Sequence, residues 1–275
     1  MVTLLLALIY LAFISLGLPD SLLGSAWPQM HLDLGAQLSM EGIISMLISC
    51  GTVISSLFSE KIIYKFGTGM ISAVSTLLTA VALFGFSVSG NFYMLCFLAI
   101  PYGLGAGAID AALNNYVALH YESRHMSWLH CMWGVGASIG PYIMGYALSN
   151  KQGWSMGYRY ISIFQIGLTA ILIISLPLWK QFHKKEHVGQ SASGSGNTLP
   201  VLTLKQIFQI PGAREILFAF FCYSAVEQTS SLWASSYLVL HLGYSSEKAA
   251  GFASLFFIGI TVGRGISGFI TVKLN

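Results

Sequence analysis

Eight times along its 275 residues the chain runs on for about twenty or more residues with hardly a charge. At a rise of about 1.5 Å per residue, such a run crosses the hydrocarbon of a bilayer as a helix. The approximate limits are 3–30, 39–59, 69–89, 92–119, 126–148, 157–179, 213–240 and 246–270. The first, fourth and seventh are long enough to tilt or to reach into the interface. The runs are continuous rather than alternating, which favours helices over a barrel, since in lipid each segment must satisfy its own backbone. Only 8% of the residues are charged and 55% are hydrophobic, where a soluble domain carries about 25% charge. These values predict an all-α integral membrane protein.

The apolar N-terminus is not read as a cleaved signal. No Lys or Arg precedes Lys61, no small-residue cleavage pattern follows, and the run continues through LGLPDSLLGSAWPQM as one spanning stretch. Cys50, Cys96, Cys131 and Cys222 all lie in apolar runs, so they are expected to fill space rather than to form disulfides.

The loops set the orientation. Lys61, Lys65, Arg124, Lys180, Lys184, Lys185, Lys205, Arg214 and Lys273 fall on one side, and Lys151, Arg159 and Lys248 on the other. Nine against three, with Arg264 inside a span, places both termini in the cytoplasm of a multi-pass cell-membrane protein. Residues 180–211 start basic, turn Ser/Gly-rich and end in the short amphipathic stretch LTLKQIF. They read as a flexible cytoplasmic linker with an interfacial segment. The linker divides six helices, 1–179, from two, 212–275.

Those two resemble the first two. A shift of 208 lays Leu32–Gly35 over Leu240–Gly243, Gly51 over Gly259, Ser59 over Ser267 and Lys65 over Lys273, with Asp20 and Glu227 one residue out of step. Internal repeats are common in secondary carriers. The repeat implies a chain that stops early in its second half, as a truncated reading frame, an incomplete sequence or a shortened form would.

Asp20, Asp110 and Glu227 lie at membrane depth, where an ionisable group costs roughly 2.5–3.5 kcal/mol on insertion scales. Such acids face a water-filled cavity or exchange a proton; the alternative is a helix-packing hydrogen bond. Asn114 shares a helix face with Asp110, while Asn115 points about 100° away. Asp20 follows Pro19, which invites a kink. Trp27, two turns on, is placed on the face of Asp20, either to stack on a ring or to anchor at the interface. Glu227 has Gln228 beside it, and Tyr223 and Ser231 one turn away. In the fifth span, His130 precedes a ladder of Gly136, Gly140, Pro141 and Gly145 suited to close helix contact. Arg264 either snorkels or pairs with an acid. No metal-ligand cluster, nucleotide loop, haem motif or nucleophile elbow is present in the sequence, so neither an enzyme, a cofactor nor a nucleic-acid partner is expected.

GLPDSLLGSAWPQM, GLGAGAIDAALNNYV, WLHCMWGVGASIGP, YSAVEQTSSLWASSYL and GFASLFFIGITVGRGISGF together resemble the major facilitator superfamily. They are most similar to its fucose–galactose–glucose:proton symporter branch. The resemblance covers the whole chain, but the family has twelve helices and this chain about two-thirds of that architecture. It implies two halves rocking about a central solute cavity, with the helix-one acid at Asp20, the proton-linked acid at Asp110 and the polar residue after it at Asn114. Where the best-known sugar symporters place Glu, this chain has Asp110, one methylene shorter. SEKIIYKFGTG keeps Lys65, Phe66 and Gly67 of the loop 2–3 signature but has Tyr64 where an acid is usual.

The expected function is secondary active transport of a small polar solute, with a sugar favoured, by proton-coupled alternating access. Asp110 would load the proton, and Asp20, Trp27, Asn114 and Glu227 would line the solute path. His130 and Arg264 would serve gating or a polar network. The expected partners are the solute, protons and the bilayer. A proton-independent facilitator or exporter of the same fold, and a truncated non-transporting membrane protein, are the alternatives.

Overall fold

A computed structural model describes residues 2–179 and 204–274. It is helical throughout, with no strand among the described residues. The elements are α1 (Val2–Asp20), α2 (Leu22–Asp33), a 3₁₀ turn (Leu38–Met40), α3 (Glu41–Phe66), α4 (Thr68–Val88), α5 (Phe92–His120), α6 (Ser123–Ser149), α7 (Trp154–Ile174), the short α8 (Leu204–Ile207), α9 (Ala213–Leu240) and α10 (Ser246–Leu274). Most of the linker expected at 180–211 lies outside the described residues; α8 falls within its amphipathic end.

Six helices among the described residues are long and apolar enough to cross a membrane. They are Leu4–Asp33, Leu38–Phe66, Thr68–Val88, Phe92–His120, Trp154–Ile174 and Ser246–Ile270. The other two expected spans, α6 and α9, are helices of 27 and 28 residues. Their apolar runs are interrupted by His130 and a glycine ladder in α6, and by Glu227, Gln228 and several Ser in α9. Many large side chains, such as Met46, Leu57, Phe97 and Ile174, are exposed, which suits lipid rather than water. The protein is a multi-pass, all-α membrane protein.

The first span is not the single helix the sequence suggested. It breaks at Ser21, between α1 and α2. Pro19 lacks an amide hydrogen and its ring crowds the preceding turn, so the ladder is weakest there.

Within the bundle α4 lies between α5 and α7, α3 packs on α5, and α1 on α6. Gln165 of α7 ties three helices together in the core, donating to the Ser15 carbonyl at 2.9 Å and accepting from Thr79 at 2.9 Å. A buried apolar cluster around Trp27, Met30, Phe86, Tyr102 and Tyr158 joins α2, α4, α5 and α7. Beyond these, α10 packs along α6 and α9 rests on α2.

A left-handed glycine follows both α2 and α9, at positions 208 residues apart. Gly35 and Gly243 have φ of 59° and 71°, in the left-handed region that glycine enters without a Cβ clash. At Gly35 the turn is closed by Ala36 N donating to His31 O at 2.9 Å, as at a glycine-terminated helix end.

Candidate functional site

A cavity of about 450 Å³ lies between α1–α6 and the pair α9–α10, a size typical of small-molecule sites. Asp20, Asp110, His130, Glu227 and Arg264 all reach its wall, from five different helices: α1, α5, α6, α9 and α10. Neutral polar groups fill in between them, with Ser45, Ser49 and Thr52 from α3 and Ser224, Gln228 and Ser231 from α9.

The break after Asp20 frees its side chain into the cavity, where it is exposed. Its two oxygens accept separate hydrogen bonds, from Tyr102 Oη at 2.9 Å and from Trp133 Nε1 at 2.8 Å. The second is possible because α1 and α6 nearly touch. A Cβ added to Gly17 would run into the backbone oxygen of Trp133. Tyr102 and Trp133 were not singled out from the sequence. Both carried a signal: Tyr102 is two turns before Asp110, and Trp133 lies one turn after His130, so each shares a face with a polar residue.

Arg264, whose partner the sequence left open, pairs with Glu227. Its Nη2 lies 3.2 and 3.3 Å from the two carboxylate oxygens and donates to Tyr223 Oη at 3.1 Å. The guanidinium also sits over the Trp133 ring, 4.7 Å from its centroid, within cation–π range. Trp133 thus touches both the acid of α1 and the cation of α10, linking the two parts of the molecule across the cavity. His130 packs edge-on against Phe13, with ring centroids 5.8 Å apart.

Asp110 accepts from Asn114 Nδ2 at 3.0 Å, the one-turn contact that the spacing predicted. Asn114 itself is not part of the cavity wall; it sits behind Asp110, and its Oδ1 is buried without a partner. Asn115 is exposed. Trp27 needs correction. It is fully buried in the apolar cluster, away from the cavity, with Nε1 donating to the Leu38 carbonyl at 2.8 Å. The helix is interrupted at Ser21, and beyond it Trp27 packs into the cluster rather than beside Asp20 in the cavity.

On one side of the cavity α9 meets α2 closely. Gly24 presses against the backbone carbonyls of Ser231 and Leu232. The preceding part of α9, from Arg214 to Tyr223, is exposed on every face. Among the described residues no group of His, Cys, Asp or Glu could hold a metal ion.

Residues 9–275 match the family described as Major Facilitator Superfamily. The chain belongs to that superfamily. It is 24% identical to Bypass of stop codon protein 6 of Saccharomyces cerevisiae, over 95% of this chain and 56% of that protein. It is 22% identical to the glucose/mannose transporter GlcP of Bacillus subtilis, over 82% of this chain and 54% of the relative. With the hexuronate transporter of the same bacterium it shares 23% identity, over 96% and 64%. The chain therefore spans between about half and two-thirds of the length of these relatives.

Proposed function

We propose that this chain carries the solute path of a secondary active transporter that moves a small polar solute, a sugar by preference, together with protons. The observation behind this reading is the convergence of three acids and one arginine, from four helices, on a single cavity of about 450 Å³. Isolated charges inside a membrane protein are expensive, and their presence on a water-accessible wall favours a solute and ion path. Two of the relatives named above are a glucose/mannose and a hexuronate transporter, which supports a sugar or sugar acid.

In this reading Asp110 loads and releases the proton, with Asn114 steadying its carboxyl group. Asp20 and Glu227 bind solute hydroxyls, helped by the donors that already hold them. Residues 1–179 form one half, 180–211 a cytoplasmic connector and 212–275 the part that rocks against it, with both termini cytoplasmic. The similarity to the fucose–galactose–glucose:proton symporter branch belongs to the same proposal.

The test is uptake by the chain in proteoliposomes with an imposed pH gradient, over a panel of labelled hexoses and hexuronates. Gradient-driven accumulation of a member of the panel is expected. Asp110→Asn is expected to abolish that accumulation while sparing exchange between labelled and unlabelled solute. Full gradient-driven accumulation by Asp110→Asn would sink the proton role. No binding or uptake of any sugar would sink the substrate class.

A further inference from the structure

One buried acid takes no part in the cavity. Glu41 begins α3. Its side chain is fully buried, and neither carboxyl oxygen has a hydrogen-bond partner. Its titratable neighbour is Tyr158 of α7, buried as well, with a hydroxyl that also lacks a partner.

None of the charged groups on the elements about Glu41 makes a hydrogen bond to it, including Arg159 of α7, whose Nε is buried without a partner. Asp20 is held by Tyr102 and Trp133, and Asp110 by Asn114. Asp33 of α2 accepts from Gln29 and Trp154. On α2, His31 places Nδ1 3.3 Å from the Ala36 carbonyl, leaving Nε2 buried and unpartnered. The sequence of α4 contains no charged residue.

An ionised carboxylate in a protein interior is held by water, by donors or by a cation. Among the described residues no side chain donates a hydrogen bond to either Glu41 oxygen. The form compatible with this site is the neutral acid, carrying its own proton. The packing above Glu41 is apolar. Tyr158 meets Phe86 edge-on at 5.4 Å, and both belong to the cluster that includes Trp27 and Ile44. Leu232 of α9 rests on that same cluster, at the place where Gly24 receives α9. Parting α9 from α2 would take Leu232 off that cluster.

We propose that Glu41 is a second proton-binding site, distinct from the cavity acids, that keeps its proton while α9 is seated on α2 and releases it to water when that seam parts. This goes beyond the transport reading and does not depend on which solute is carried.

Infrared difference spectra of the purified chain in lipid nanodiscs at neutral pH, wild type minus Glu41→Gln, test the first half. The wild type is expected to show one acid carbonyl band that the variant lacks. A difference in the carboxylate stretches instead would overturn the proposal. Should Glu41→Gln not fold, Glu41→Asp is expected to shift the same band, and an unshifted spectrum is equally fatal. For the second half, Gly24 is replaced by Ala, Leu and Trp, with spin labels at Leu32 and Tyr237 reporting the α2–α9 separation. Across the series, the acid band is expected to give way to carboxylate as the separation grows. A seam that parts with the band intact, or a band that vanishes with the seam closed, overturns the coupling to this seam. Both measurements are made without solute, so their failure leaves the transport reading untouched, and the converse holds.

Discussion

Asp20 and Trp27 show how differently two neighbouring residues can be employed. Asp20 receives one donor on each oxygen, and hydrogen bonds to charged groups are worth about 1.5–3 kcal/mol each. If Asp20 binds solute, Tyr102→Phe releases one of these constraints and weakens solute affinity about 10- to 100-fold, as read from a binding titration of the purified chain. Trp27→Ala should behave in the opposite way. It opens a cavity in the core and lowers stability by about 3–5 kcal/mol, measured by thermal unfolding, while the affinity of the folded fraction stays at the wild-type value. The Glu227–Arg264 pair gives a third test at this scale. Its side chains are 14% and 24% exposed, so removing one partner leaves a poorly hydrated charge. Glu227→Gln and Arg264→Gln alone are each expected to destabilise more than the double variant, with a coupling of about 0.5–3 kcal/mol. Additive losses would show that the pair is not a unit.

At the scale of elements, the spans were legible because hydropathy over about twenty residues is a one-dimensional property that needs no knowledge of neighbours. The Asp110–Asn114 contact was legible for a similar reason, being set by the pitch of one helix. What could not be read was contact between helices. Tyr102 and Trp133 reach Asp20 from 82 and 113 residues away, and no local spacing encodes that approach. Trp27 failed for a third reason, since its placement assumed an unbroken helix through Ser21. The close crossing of α1 and α6 supplies a prediction of its own. Gly17→Ala puts a methyl group against the Trp133 backbone oxygen, and that atom cannot swing aside as a side chain would. The expected loss is about 1–3 kcal/mol of stability, with quenching of Trp133 fluorescence by solute weakened in parallel. Unchanged stability would mean that the two helices separate at little cost.

For the whole molecule, the charge map and the packing together make a prediction about sides. In the proposed orientation the end bearing the N-terminus and the α3–α4 turn faces the cytoplasm. The seam of α2 and α9, where Gly24 meets the Ser231 and Leu232 carbonyls, lies at the opposite end, while Arg214–Tyr223 of α9 is exposed. The conformation described is therefore expected to face the cytoplasm. Single cysteines introduced at Lys65, at Lys151 and at Ser224 on the cavity wall, in a background with Cys50, Cys96, Cys131 and Cys222 replaced, separate these statements. An impermeant thiol reagent applied to right-side-out cells should label Lys151→Cys, spare Lys65→Cys, and label Ser224→Cys slowly. Applied to inverted vesicles, it should label Lys65→Cys and Ser224→Cys promptly. The reverse pattern at Lys65 and Lys151 would overturn the orientation. Equal labelling of Ser224→Cys from both faces would mean that the α2–α9 seam does not seal. A solute that moves Ser224→Cys labelling from one face to the other, without altering the two loop cysteines, would require the two parts to rock about the cavity. It would also link the Trp133 contact between them to transport, because Trp133 bonds the acid on α1 and lies beneath the guanidinium on α10. Trp133→Phe keeps the ring and loses the donor, so it should slow the solute-induced change more than it alters labelling at rest.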